Sequence, residues 1–156
     1  MSEHTKAQRP TEAPDLLSAT ALAAFRLNGR FLDISERLAR PAGLTAARWQ
    51  VLGTVLREPL PVSTIARTMG ITRQSVQRIA DLLVADGLAQ YLPNPAHSRA
   101  KLLCATDDGI AAVRRIDPAH AELAHRLAAE LDTAELQRAL ESLERLSAAL
   151  EGIDNP

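Results

Sequence analysis

Apolar residues recur at helical spacing through most of the chain. Leu17, Ala21, Ala24, Phe25, Asn28, Phe31, Leu32 and Leu38 follow three- and four-residue steps, which predicts a long helix from Asp15 to Ala39. Asp15 follows Pro14 as its expected N-cap, and Pro41 and Gly43 stop it. Residues 1–14 are polar, carry two prolines and read as a loose N-terminal arm. A second helix is expected over Thr45–Arg57, capped by Thr45, with Trp49, Leu52, Val55 and Leu56 inward and Pro59 and Pro61 closing it. Two short helices come next, Ser63–Met69 and Thr72–Asp86, separated by Gly70-Ile71, and Gly87 ends the second. The period then changes. Leu88–Leu92 and Ala100–Thr106 read as strands joined by the turn-rich Pro93–Arg99, a β-hairpin with a polar tip. Helix resumes after Thr106, with Asp107 and Asp108 in its first turn, where carboxylates suit the helix dipole. Pro118 is expected to kink or interrupt it near Asp117. A last helix from Asp132-Thr133 carries Leu136, Leu140, Leu143, Leu146 and Leu150, close to a heptad seam, and 151–156 form a tail.

Composition sharpens this mostly helical reading. Of 156 residues, 46% are hydrophobic and only 3% aromatic, which favours helices packed through aliphatic side chains. The net charge of −1 conceals an asymmetry. Residues 41–105 carry seven Lys and Arg against three Asp and Glu, while 106–156 carry five against eleven. A basic centre beside an acidic end directs attention to a local anion-binding surface. The single cysteine, Cys104, permits no internal disulfide, no Cys/His metal set exists, and no cofactor is expected. Neither a secretory leader nor a run of about 20 apolar residues appears, so a cytoplasmic protein without membrane contact is expected.

The strongest local signal is VSTIARTMGITRQSVQRIADLLVADGL. A helix-turn-helix needs a small residue where its helices cross, which Ala66 supplies. It needs a turn residue tolerant of positive φ, which Gly70 supplies. Val76 and Ile79 face inward, Ile65, Met69 and Ile71 complete the small core, and Thr72 caps the second helix. The outer face then shows Arg73, Gln74, Gln77 and Arg78, with Ser75 beside them. Arg pairs in bidentate fashion with guanine and Gln with adenine, each worth roughly 1–3 kcal/mol of discrimination. The hairpin lies where a wing belongs. Its tip holds His97, Ser98 and Arg99, with Lys101 at its base, and an Arg on a thin loop suits a minor groove. The fold class is therefore mostly α with a small β-hairpin: a winged helix-turn-helix over 45–106, flanked by helices at 15–40 and 107–150.

Three segments, GLTAARWQVLGTVL, IARTMGITRQSVQRIADLLVADGL and SRAKLLCATDDG, resemble the MarR family of bacterial transcription regulators, and the resemblance spans Asp15 to Leu150. It implies a single domain over 15–150 that forms a homodimer through the flanking helices. A two-fold dimer reads two half-sites about one helical turn apart, so a palindromic operator in double-stranded DNA is implied. By the same resemblance, Thr72, Arg73, Gln74, Ser75, Gln77 and Arg78 meet bases and nearby phosphates, and His97, Ser98 and Arg99 form the wing tip. Thr45, Arg48, Ser63, Thr64 and Lys101 meet the phosphate backbone. It further implies a repressor released by a small aromatic or phenolic acid, for which Phe25, Phe31 and Trp49 are the candidate lining and Arg26 or Arg30 the carboxylate partner. One position departs from the pattern: the family wing usually has an Asp two residues before its Arg, and here that residue is His97. The peroxide-sensing branch has a reactive Cys near the start of the first helix, which this chain lacks, and Cys104 lies in an apolar strand where a thiol is inert packing.

An enzyme is the weaker class. His4, His97, His120 and His125 form no metal-spaced set, and no nucleophile elbow, phosphate-binding glycine loop or paired catalytic acid is present. The remaining alternative is a helical protein-interaction module with a winged-helix shape, which has no need of Arg73, Gln74, Gln77 and Arg78 on one face.

Overall fold

The computed structural model describes residues 12–154; His4 and most of the expected N-terminal arm lie outside them. The chain divides into two compact units, one through Val113 and one from Arg114.

In the first unit, α1 (Ala13–Ala39) begins two residues before the expected Asp15. Pro14 explains the shift: a proline in the first helical turn sacrifices no hydrogen bond, because that N–H has no intrahelical partner. Glu12 is the N-cap and Asp15 instead lies in the first turn, where its charge suits the dipole. A 3₁₀ turn over Arg40–Ala42 ends at Gly43, in keeping with the stop expected from Pro41 and Gly43. Helix α2 (Ala46–Thr54) is capped by the Thr45 hydroxyl, which accepts from the Arg48 N–H at 3.2 Å. Glu36 of α1 reinforces that start by accepting from the Ala46 N–H at 2.8 Å.

Helix α2 stops three residues short of Arg57 because Pro59 and Pro61 force extended backbone before them. Val55 still turns inward, but Leu56 is exposed, contrary to expectation. The extended stretch forms a strand the sequence did not reveal, β1 (Leu60–Pro61). Two residues carry no periodicity, and prolines read as breakers. Pro61 is tolerated because β1 is an edge strand.

Helices α3 (Val62–Met69) and α4 (Arg73–Ala85) meet across Gly70, which sits at φ 65°. The Ile71 N–H closes the turn by donating to the Ala66 carbonyl at 3.1 Å. The Ile71 side chain, expected inside, is exposed, since the left-handed residue before it turns the chain outward. The core falls instead on Val51, Leu52, Ile65, Val76, Ala80 and Leu83, each fully buried, with Ile79 and Met69 at its margin. Burying each of the larger aliphatic side chains contributes about 1.5–3 kcal/mol. Helix α4 thereby packs on α2 and α3.

Strands β2 (Ala89–Leu92) and β3 (Leu102–Ala105) form the hairpin, and β1 adds to its far side in the order β1-β3-β2, all antiparallel. Leu103 of β3 plugs the sheet into the core with no exposure. Cys104 is half-buried in the same strand. Thr106 ties the hairpin to the next helix. Its hydroxyl donates to the Gly87 carbonyl at 2.7 Å and accepts from the Gly109 N–H at 3.2 Å, capping α5 (Asp107–Arg114). Gly109 is required by close approach, since a Cβ there would lie 2.0 Å from the Leu88 carbonyl oxygen.

The second unit holds α6 (Asp117–Glu130) and α7 (Thr133–Asp154). The interruption expected near Asp117 is present: the helix breaks at 115–116, and Pro118 sits in the first turn of α6. The Asp132 carboxylate caps α7 by accepting from the Glu135 N–H at 2.7 Å. Helix α7 runs through Asp154, so 151–154 continue the helix and are not a tail. Its Leu140, Leu143 and Leu150 are 44–56% exposed.

Two glycines give opposite expectations. Gly109→Ala drives a Cβ into backbone and should lower unfolding free energy by about 3 kcal/mol, the upper range for overpacking. Gly53→Ala, in α2 with nothing within 4 Å of the added Cβ, should gain up to about 1 kcal/mol. Urea denaturation of both variants checks this, and equal effects would contradict the Gly109 contact.

Candidate nucleic-acid interface

Helix α4 divides its two faces sharply. Val76, Ala80 and Leu83 are buried, while Arg73, Gln74, Gln77, Arg78 and Asp81 are exposed. At 3.6 residues per turn these polar positions form one continuous strip. The helix starts where Thr72 caps it, accepting from the Ser75 N–H at 3.2 Å. The Ser75 hydroxyl lies 2.8 Å from that of Thr72, so Ser75 serves the helix start more than the outer face. A shallow hollow along the strip is lined by Arg73, Gln74, Gln77, Arg78, Asp81 and Leu82.

A second concavity of about 550 Å³ runs between α4 and the hairpin. Arg73, Gln77 and Asp81 form one wall; Tyr91, His97, Arg99 and Lys101 form the other; Ser63 contributes from α3. Arg73, Arg78 and Arg99 pair with no carboxylate among the described residues. Arg48 behaves differently. Its guanidinium donates to Asp86 Oδ2 at 2.6 Å, at the far end of α4. Thr45 spends its acceptor on the α2 cap, Ser63 is exposed and Thr64 is half-buried.

The hairpin tip answers the question posed by His97. The Asn94 side chain accepts from the Ala96 N–H at 3.0 Å. The His97 N–H then donates to the Asn94 carbonyl at 3.2 Å, and the Ala100 N–H to the His97 carbonyl at 3.2 Å. An Asx turn followed by a second turn holds the loop without an Asp at position 97. His97, Ser98 and Arg99 stand exposed on it.

The feature least visible in the sequence joins α4 to β2. The Tyr91 hydroxyl donates to Asp81 Oδ1 at 2.6 Å. Gln77 Nε2 donates to the same carboxylate oxygen at 2.9 Å and to the Tyr91 hydroxyl at 2.8 Å. Lys101 Nζ sits 5.9 Å from the centre of the Tyr91 ring, within cation–π range. Burial, then the hydrogen bond and negative charge of Asp81, push the Tyr91 phenol up to about 12, against the lowering effect of Gln77. Gln77 and Asp81 are four apart on a helix, a detectable pairing signal. Their link to a tyrosine ten residues further on depends on strand register.

The five residues expected around a small ligand are not enclosed. Phe25 is 72% and Phe31 54% exposed, Arg26 and Arg30 are exposed, and Trp49 is half-buried. Among the described residues, no three His, Cys, Asp or Glu are grouped as a metal site, and no helix is long and apolar enough to cross a membrane.

A helix with a polar outer face, a preceding helix across a left-handed glycine turn and an adjoining β-wing define a winged helix-turn-helix, a DNA-binding architecture. The MarR family model matches residues 42–100. Uncharacterized proteins of Mycobacterium tuberculosis and Mycobacterium bovis are 38% identical over 136 residues, covering 87% of this chain and 95% of theirs. The transcriptional repressor IacR of Pseudomonas putida is 28% identical over 121 residues, 76% of this chain and 72% of that protein. Among solved structures, the transcriptional repressor CouR bound to a 23-mer DNA duplex superposes with a TM-score of 0.73 at 25% identity, covering 89% of this chain and 99% of that one. This chain belongs to the MarR family, whose members are DNA-binding transcription regulators and not enzymes.

The chain has one tyrosine, so its phenolate absorbance reports Tyr91 alone. Because the folded phenol is raised from 10 to about 12, its hydrogen-bonded form adds stability that is complete below pH 10 and lost as pH rises through about 12. A spectrophotometric titration should find the wild-type midpoint well above that of the Asp81→Ala variant. Coincident midpoints in two folded proteins would refute the contact.

Proposed function

We propose that this chain is a repressor that binds a palindromic operator as a homodimer in the cytoplasm. On this reading α4 enters the major groove with Arg73, Gln74, Gln77 and Arg78, and the wing places Arg99 in the adjoining minor groove. Lys101, Ser63, Thr64, Thr45, Arg48 and the helix start at Thr72 and Ser75 are assigned to the phosphate backbone, Arg48 from a surface ion pair with Asp86. The observation that carries the proposal is the set of arginines on α4 and the wing that no carboxylate neutralises among the described residues. The DNA-bound CouR structure and the repressor IacR support it by likeness.

Dimerisation is supported by exposed apolar side chains on two helices. Leu17, Leu22, Phe25 and Phe31 of α1 are 54–72% exposed, and α7 exposes Leu140, Leu143 and Leu150. Surfaces of this kind mark contacts with a partner, and a second copy reading the second half-site is the economical one. The same exposure bears on the effector. Phe25 and Phe31 enclose nothing within one chain, so an aromatic acid held by Phe25, Phe31, Trp49 and Arg26 or Arg30 requires the second copy as a wall. Release then results if the ligand favours a spacing of the two α4 helices that no longer matches the operator.

Selection from a random duplex pool should return a palindrome. Arg73→Ala should cost about 1–3 kcal/mol per half-site and relax specificity, whereas Lys101→Ala should weaken all sequences alike and reduce the salt slope by roughly one per half-site. Arg99→Ala should weaken operator binding, and the sedimenting dimer should persist in all three. Undiminished operator affinity in both arginine variants defeats the proposal. For the effector, a panel of phenolic and aromatic acids should contain one that releases the wild-type protein but not Phe31→Ala; release of neither by any member removes the ligand from the scheme.

A further inference from the structure

Gln77 stands on the outer face of α4 with its polar head already committed. Its amide nitrogen is drawn to the Asp81–Tyr91 pair, 2.9 Å from Asp81 Oδ1 and 2.8 Å from the Tyr91 hydroxyl. The chemistry fixes this orientation. A carboxylate accepts only, so it takes the amide nitrogen, and Tyr91 gives its single proton to Asp81 at 2.6 Å and therefore accepts from Gln77. Tyr91 is itself held, by strand pairing opposite Leu103 in β3 and by Lys101 across its ring. What Gln77 has left to present is the carbonyl oxygen, an acceptor. The bidentate pairing of glutamine with adenine needs the amide N–H for N7 together with the oxygen for the N6 amine. The three side chains line the cleft between α4 and the wing, where solvent screening leaves such contacts little net stabilising value. Their consequence falls on what the helix displays.

We propose that Tyr91, acting with Asp81, is a positioning residue that makes Gln77 an acceptor-only reader. The base it faces is then selected for a major-groove amine, adenine or cytosine, instead of adenine alone. The carbonyl oxygen is repelled by O6 of guanine and O4 of thymine, and it gains one hydrogen bond from either amine. This rests on α4 being the helix that enters the major groove.

The test measures binding of the full-length protein to its selected operator with all four bases substituted symmetrically at each half-site position. Gln77→Ala identifies the position read by Gln77 as the one whose base preference it flattens. There, the wild type should bind A and C within about threefold of each other and reject G and T by about tenfold, one hydrogen bond gained against one repulsion. Tyr91→Phe and Asp81→Ala each free the amide, and both should change the pattern to adenine over cytosine by about tenfold, the gain of a second base contact. Asp81→Ala also removes a negative charge and raises affinity for all sequences, so the ratio of bases is the diagnostic quantity. A purely structural role for Tyr91 lowers affinity or melting temperature without changing that ratio. The proposal is overturned if both variants keep the wild-type ratio, or if the wild type already selects adenine alone. If Gln77→Ala flattens no position, the placement of α4 in the groove fails first, a result distinct from either of those.

Discussion

Everything useful in this molecule hangs on the burial of one side of α4. Val76, Ala80 and Leu83 have no exposure at all, and they lie on a helix packed against α2 and α3. That contact fixes the rotation of the helix about its axis, and rotation decides which residues point outward. A rigid-body turn of a single residue step, about 100° on a helix, would take Arg73 and Gln77 off the outer strip and expose aliphatic side chains. Reading geometry is thus a by-product of packing, set by residues that touch no partner.

Packing leaves translation along the axis less constrained, and the polar contacts supply it. Thr72 caps the start of α4, Gly87 at φ 73° ends it, and Arg48 holds Asp86 at that same end. None of these is individually strong; a surface ion pair contributes about 0–1 kcal/mol. Their value is geometric, because they act at both termini of a helix already clamped in the middle. Tyr91 adds a lateral tie from β2, coupling the helix to the wing. That tie gives Asp81 a reason to exist on a strip that is otherwise basic. Its negative charge opposes a polyanion, and what it contributes in return is the ordering of a glutamine and a tyrosine.

The elements legible in the sequence were those whose local chemistry and burial agree. Gly70, Ala66 and Val76 announce the helix-turn-helix because each is the residue type its position requires. Thr45 and Thr72 announce helix starts in the same way, and both do cap. Pro118 marks the interruption expected near Asp117, because a proline serves the first turn of a new helix. Errors arose where a local rule met a longer-range demand. Asp15 looked like a cap, but Pro14 admits an earlier start. Pro59 and Pro61 looked like a bare connection, and β1 exists only because Leu103 and Leu102 lie opposite to receive it. The outer strip of α4 was legible as a set of residues. The commitments of the site's residues were not, since Arg48 finds its partner 38 residues away and Gln77 one of its partners 14 away.

The wing shows how a fold keeps a geometry while exchanging the chemistry behind it. His97 stands where the family pattern has an aspartate, and a carboxylate there would brace the loop by accepting hydrogen bonds. A histidine in its place removes that acceptor, and the loop still needs one. Asn94, three residues earlier, supplies it through its side-chain oxygen and its backbone carbonyl, and the carbonyl of His97 carries the second turn onward. The brace of this loop lies at its entrance. No carboxylate stands beside Arg99 in the tip, and His97 is exposed. A loop braced from its base leaves its tip electrostatically simpler, with the cation of Arg99 offset by no anion within the tip itself.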